Sequence, residues 1–144
     1  MILAIDPGLA TGWAVLYPNG EFQSGILEGG FEAMSDWLYS WGEFVHEVII
    51  ENFIPRGGAL SVQLDALHII GAVKHWCRQN GKPLHIQSPA QAKSFSTNDK
   101  LKAVGWWNKG TEGHDNDAAR HLLVAAATGK VGNAARDQVL ERLT

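Results

Sequence analysis

A single cysteine, Cys77, stands among 144 residues, so no internal disulfide can form and a reducing, cytoplasmic setting is expected. No apolar run approaches the roughly 18–20 residues that a membrane-spanning helix needs, which excludes a helical membrane protein. Met1 leads straight into apolar residues without a basic stretch or cleavage site, so no signal peptide is expected. Internal repeats, low-complexity tracts and linkers are missing too. One domain over residues 1–144 is the expectation, long enough for a substantial core. The most uneven shortage is of positive charge: residues 1–55 hold eight acidic groups and no Lys or Arg. Residues 56–110 reverse this, with eight basic groups against Asp65 and Asp99, and the whole chain carries −3. Net charge therefore does not announce a polyanion ligand, yet the middle third can present a basic face.

What is present organises around Met1–Leu16, MILAIDPGLATGWAVL. The apolar run Ile2–Ile5 ends in Asp6, a Pro7-Gly8 turn follows, and a second apolar run begins at Gly12. This predicts two antiparallel strands, Ile2–Asp6 and Gly12–Tyr17, joined by a tight loop. Asp6 then closes a buried strand, where a carboxylate is costly unless a cation or several donors hold it. Hydrogen bonds from its own loop are the simpler way to meet that cost.

Pro18-Asn19-Gly20 turns the chain into a third strand, Glu21–Leu27. Phe31, Met34, Leu38, Trp41 and Val45 recur at helical spacing, with Gly42 as an unfavourable interior residue. Glu47–Glu51 (EVIIE) reads as a short buried parallel strand, again closed by a carboxylate. After the loop Ile54–Gly58, a long helix is expected over Ala59–Gln79, then a strand over Pro83–Gln87. Ser88-Pro89 opens a helical turn, and Ser96–Asp99 supplies caps for a helix reaching about Trp107. Asp117–Ala127 and Ala134–Leu143 complete the helices. The expected class is α/β, with a mixed central sheet whose first three strands are antiparallel, flanked by helices.

Three acidic points thus fall at element ends: Asp6, Glu51 and Asp117. If the first and fourth strands are neighbours, Asp6 and Glu51 share one edge, and the late helix brings residues 114–117 beside them. In a helix His114 and Asp117 share a face, while Asp115 points about 100° away. Several carboxylates in one cleft ask for divalent cations or raised pKa values, and an oxygen-rich set suits Mg²⁺ or Mn²⁺. Two such ions about 3.5–4 Å apart can activate a water and stabilise the leaving oxygen in phosphodiester hydrolysis. Asp115 and Asn116 have the alternative reading of helix N-caps, and His114 that of a solvated loop residue.

The ordered set Ile5-Asp6-Pro7-Gly8 with Thr11-Gly12, Ile50-Glu51-Asn52 with Phe53, and His114 to Ala119 leading into LLVAAA resembles the RuvC-type Holliday junction resolvases of the RNase H-like superfamily. The order of elements agrees over nearly the whole chain, and its compactness is similar to the phage-encoded branch. The resemblance implies an RNase H-like fold and an endonuclease of four-way or branched DNA that leaves 5′-phosphate ends, with two Mg²⁺ or Mn²⁺ ions per site. It carries the metal positions to Asp6, Glu51, His114 and Asp117, with Asp115 as the competing third ligand. It also implies a homodimer through the Ala59–Gln79 helix, without membrane association, in a bacterial or phage-infected cell.

Expected DNA contacts are Phe53 and Arg56 beside the second acidic motif, and Lys93, Lys100, Lys102 and Lys109 before the last. Trp106 and Trp107 offer stacking for an unpaired base, with only one of them accessible if both lie on a helix. Packing in the core is the competing reading for Phe53 and the tryptophans, and a solvated face for the lysines. Two further functions stay open: a looser nuclease acting on flaps, forks or replication intermediates, and a non-catalytic branched-DNA or phosphate-binding module.

Overall fold

The computed structural model describes residues 1–54, 57, 60–111 and 113–144, with residues 60–63 as backbone only. The first strand, β1 (Ile2–Asp6), sits at the centre of a five-stranded sheet. The Pro7–Leu9 turn leads into β2 (Ala10–Leu16), and the turn around Gly20 into β3 (Phe22–Glu28). These three strands are antiparallel neighbours. On the other side of β1 lie β4 (Glu47–Glu51) and β5 (Leu84–Gln87), both parallel to it, in the order β3-β2-β1-β4-β5. The mixed sheet with an antiparallel first half is the one expected, with boundaries shifted by one or two residues.

Alternation along the strands gives the sheet two faces, each with its own core. Leu3, Ile5, Val15, Val48 and Ile50 pack beneath α1 (Gly30–Trp41) and α2 (Leu60–Asn80). Ala4, Ala14, Leu16 and Ile49 face α5 (His114–Ala127) and α6 (Asn133–Leu143). Ala4 and Ala14 make the middle of that face shallow, and α5 answers with Ala118, Ala119, Ala125 and Ala126, all fully buried, so helix and sheet approach closely.

Two helices end earlier than periodicity indicates. The first stops at Trp41, and Gly42 opens a short 3-10 turn instead of continuing toward Val45. Gly42 is required by packing, because a Cβ there would run into the Trp76 ring of α2. After α3 (Pro89–Phe95), capped by Ser88, α4 covers only Asn98–Val104. It is capped by Thr97 and closed by Gly105 in the left-handed region at φ 79°. Trp106 and Trp107 therefore follow the helix and do not share its surface. Cys77 is buried, which pushes its thiol up to about 11. Among the described residues no helix is long and apolar enough to cross a membrane.

Candidate active site

The candidate ligands lie along one row of the sheet. Gly12 on β2 pairs with Asp6 on β1, and Glu51 on β4 pairs with Gln87 on β5. The β1–β4 register aligns Ile5 with Ile50, so one step further sets Asp6 beside Glu51. The row reads Gly12, Asp6, Glu51, Gln87, and side chains in register share a face, here that of α5.

Helix α5 starts on this row. Gly12 has no side chain, and a Cβ there would overlap the His114 carbonyl. Its absence lets the first turn of α5 sit on β2. His114 Nδ1 then lies 3.1 Å from Asp6 Oδ2. Asp117, on the same helical face, is close enough to act on Asp6 electrostatically. Asp6 is only 8% exposed. Burial first, then the Glu51 carboxylate and more weakly Asp117, push it up to about 6 against the hydrogen bond and charge of His114. Burial and neighbouring acids thus both disfavour the ionised form of Asp6, and a nearby positive charge would relieve both.

Two α5 residues not anticipated from sequence complete the picture. His121 is buried, with Nε2 2.7 Å from Glu51 Oε2 and Nδ1 2.9 Å from Gln87 Oε1. Arg120 donates to Asp117 Oδ1 at 3.3 Å and also to the Ser96 carbonyl and Asn98 Oδ1. Their signal was spacing: 114, 117 and 121 form one helical stripe, and Arg120 follows Asp117 by three residues. Each carboxylate is thus turned toward a protein partner. Among the described residues no three His, Cys, Asp or Glu side chains already stand together as a metal-holding group.

Asp115 occupies a different setting. It is fully buried, accepts from Asn108 Nδ2 at 2.8 Å and Thr111 Oγ1 at 2.7 Å, and takes the Asn116 amide at 2.9 Å. Asn116 pairs in turn with the Asn108 backbone. These contacts tie Asn108 and Thr111 to the start of α5 and leave His114, not Asp115, facing Asp6.

The expected DNA-contacting residues divide. Lys93 is exposed and, with Phe53, Ile54 and Pro89, lines a cleft of about 260 Å³ beside Glu51. Phe53 is half-buried against the α1–α2 core. Lys102 and Lys109 are exposed, with Lys102 5.7 Å from the centre of the half-buried Trp107 ring. Lys100 is already engaged: its Nζ donates to the Phe95 carbonyl at 2.9 Å and lies over the Phe95 ring. Trp106 is corrected to a core residue, 3% exposed and stacked on Phe22 at 4.7 Å, so no base can reach it. Arg56 lies outside the described residues.

No protein-family profile and no curated protein sequence matches the chain. Solved structures do. A Thermus thermophilus RuvC in complex with a Holliday junction substrate is similar with a TM-score of 0.71 at 16% identity, covering 91% of this chain and 95% of that one. A second Thermus thermophilus RuvC structure gives a TM-score of 0.59 at 18% identity, covering 90% of this chain and 95% of that one. The likeness expected from Asp6, Glu51 and the α5 motif is borne out in the architecture: this chain has the RuvC fold, an RNase H-like α/β sheet flanked by helices.

Proposed function

We propose that the chain is a divalent-metal-dependent, structure-selective endonuclease that resolves Holliday junctions and other branched DNA by paired phosphodiester hydrolysis, leaving 5′-phosphate ends. The observation that carries this reading is the convergence of Asp6 and Glu51, neighbours on one row of the sheet, with His114 and Asp117 on the first turn of α5, in a RuvC-like fold. The donor set suits hard cations: three carboxylates and one imidazole, with Asp6, the most buried of the three acids, raised by burial and then by its acidic neighbours. Asp6, Glu51, His114 and Asp117 would hold two Mg²⁺ or Mn²⁺ ions, the imidazole nitrogen favouring Mn²⁺. When bound, the ions supply the Lewis acidity for attack of water on phosphorus and for release of the leaving oxygen.

The chain's own residues do the rest. Asp6 and Glu51 stand on strand ends and His114 and Asp117 on the first turn of a buried helix, so the four groups are held by rigid elements. Lys93, Lys102 and Lys109 neutralise phosphates at the rim. Trp107, between Lys102 and Arg120, offers a ring face to an unpaired base, and Phe53 an apolar edge beside Glu51. A homodimer through α2 would place two sites for paired nicks. It is supported by the exposure of Leu64, Leu67 and Gly71 on that helix, with open space where a Gly71 Cβ would stand.

The test is a labelled four-way junction against a flap, a fork and a linear duplex, with Mg²⁺, Mn²⁺, Ca²⁺ or EDTA. Paired cuts in the junction with Mg²⁺ or Mn²⁺, and none with Ca²⁺ or EDTA, are expected. Equal cutting of flaps and forks points to the looser nuclease, and binding without cutting under any metal to a non-catalytic module.

A further inference from the structure

Glu51 does not stand alone at its strand end. Its partner in register, Gln87, lies beside it on β5, and His121 reaches down from α5 to touch both. His121 follows His114 by seven residues, a rise of about 10 Å. From there its ring spans the end residues of the neighbouring strands β4 and β5.

The hydrogen-bond directions can be worked out. A carboxylate only accepts, so the 2.7 Å contact to Glu51 Oε2 is donated by His121 Nε2–H. With Gln87 Oε1 facing Nδ1, the ring needs a second proton there, and Gln87 Nε2 is left buried without a partner. Turned over, the same carboxamide donates Nε2–H to Nδ1, a singly protonated ring suffices, and the orphaned donor finds an acceptor. The consistent chain runs Gln87 N–H to His121 Nδ1, and His121 Nε2–H to Glu51 Oε2. His121 is 1% exposed, so water does not compete for either bond.

We infer that His121, oriented by Gln87, is a positioning residue that fixes the Glu51 carboxylate for cation binding by holding one oxygen and leaving the other to face the cleft. This rests on the metal reading of Asp6, Glu51, His114 and Asp117. His121 touches Glu51 and not the ion, as outer partners of metal-binding carboxylates do, and loss of such a partner commonly weakens binding 10–100-fold.

The experiment is Mn²⁺ titration of the full chain without DNA, free Mn²⁺ being read by electron paramagnetic resonance, alongside thermal melts of each metal-free variant. His121→Leu is expected to weaken Mn²⁺ binding about 10–100-fold. His121→Gln, whose amide can donate where Nε2 does, should recover most of that loss. Adding His121→Leu to Glu51→Gln should cost nothing beyond Glu51→Gln, because the histidine acts through that carboxylate. Should His121→Leu fail to fold, Gln87→Met is read in its place, with a several-fold loss expected. Unchanged Mn²⁺ affinity in a folded His121→Leu protein, against a wild type that binds, overturns the positioning role alone. Absence of Mn²⁺ binding in the wild type overturns the metal reading beneath it.

Discussion

Asp6→Asn gives a prediction whose sign separates a cation site from a structural aspartate. In the folded chain Asp6 is pushed from 3.8 to about 6, mainly by burial and then by Glu51. At about 1.36 kcal/mol per pK unit, keeping it ionised costs the metal-free protein about 3 kcal/mol. Asparagine removes that cost and retains a polar group of the same shape. The hydrogen bond to His114 is weakened, at about 1 kcal/mol. The net expectation is that Asp6→Asn stabilises the metal-free protein by about 2 kcal/mol at pH 8, or about 6 °C in Tm at roughly 3 °C per kcal/mol.

The pH dependence follows from the same shift. Native Asp6 binds its proton more tightly than the unfolded chain does, so wild-type stability falls as pH rises from about 4 to 6 and then levels off. The variant lacks this component, and its advantage disappears below about pH 4, where Asp6 is protonated in both states. Added Mn²⁺ reverses the order, because ligand binding stabilises the wild type by RT ln(1 + [L]/Kd) and the variant much less. Melts followed by circular dichroism at pH 4, 6 and 8, in EDTA and in Mn²⁺, measure all three effects. A variant less stable than wild type in EDTA at pH 8, or one whose advantage persists unchanged at pH 4, would refute the reasoning.

Further outcomes follow from the surrounding geometry. Gly12→Ala should lower stability by about 1–3 kcal/mol, since the new Cβ overlaps the His114 carbonyl, and should also weaken Mn²⁺ binding by lifting the start of α5; melts and metal titration read both. Asp115→Ala should cost about 3 kcal/mol in urea unfolding by stripping a buried carboxylate from Asn108 and Thr111, whereas His114→Ala should change stability little and abolish cleavage. An Asp115→Ala protein as stable as wild type, or an active His114→Ala, would return the ligand question to Asp115. Lys102→Ala and Lys109→Ala should each reduce the salt slope of junction binding by about 0.9, and Lys100→Ala should leave it unchanged, because Lys100 is committed to Phe95; the slope is read from affinity against salt concentration.

Much of this arrangement was legible from apolar runs that end in acids. Ile2–Asp6 and Glu47–Glu51 are strands with the predicted bounds, because short continuous apolar runs ended by a carboxylate and a turn leave little else for the backbone to do. The errors lie where packing across elements decides. Gly42 looked like an unfavourable helix-interior residue, but it follows the end of α1, and the Trp76 ring, thirty-four residues away in sequence, leaves no room there for a Cβ. Trp106 and Trp107 looked like neighbours on a helix, but Gly105 in the left-handed region ends α4 and turns Trp106 onto Phe22. Lys100 counted as free charge until the Phe95 carbonyl and ring claimed it.

The site was legible in its acids and hidden in its partners. Acidic residues at element ends stand out because burial makes them expensive, whereas His121 and Arg120 sit inside a helix pattern that reads as ordinary. Yet these partners answer the question that the acids raise. Without a cation each carboxylate needs a donor, and the fold provides one apiece: His114 for Asp6, His121 for Glu51, Arg120 for Asp117. The three differ in what an arriving ion would ask of them. On the metal reading proposed above, His114 would exchange its bond to Asp6 for one to the ion, while His121, contacted from behind by Gln87, would keep its hold on Glu51. Arg120 would stay fixed by the Ser96 carbonyl and Asn98 if Asp117 turned away. On the proposed metal reading, an arriving ion would therefore displace only two side chains, His114 and Asp117, both on the first turn of one helix.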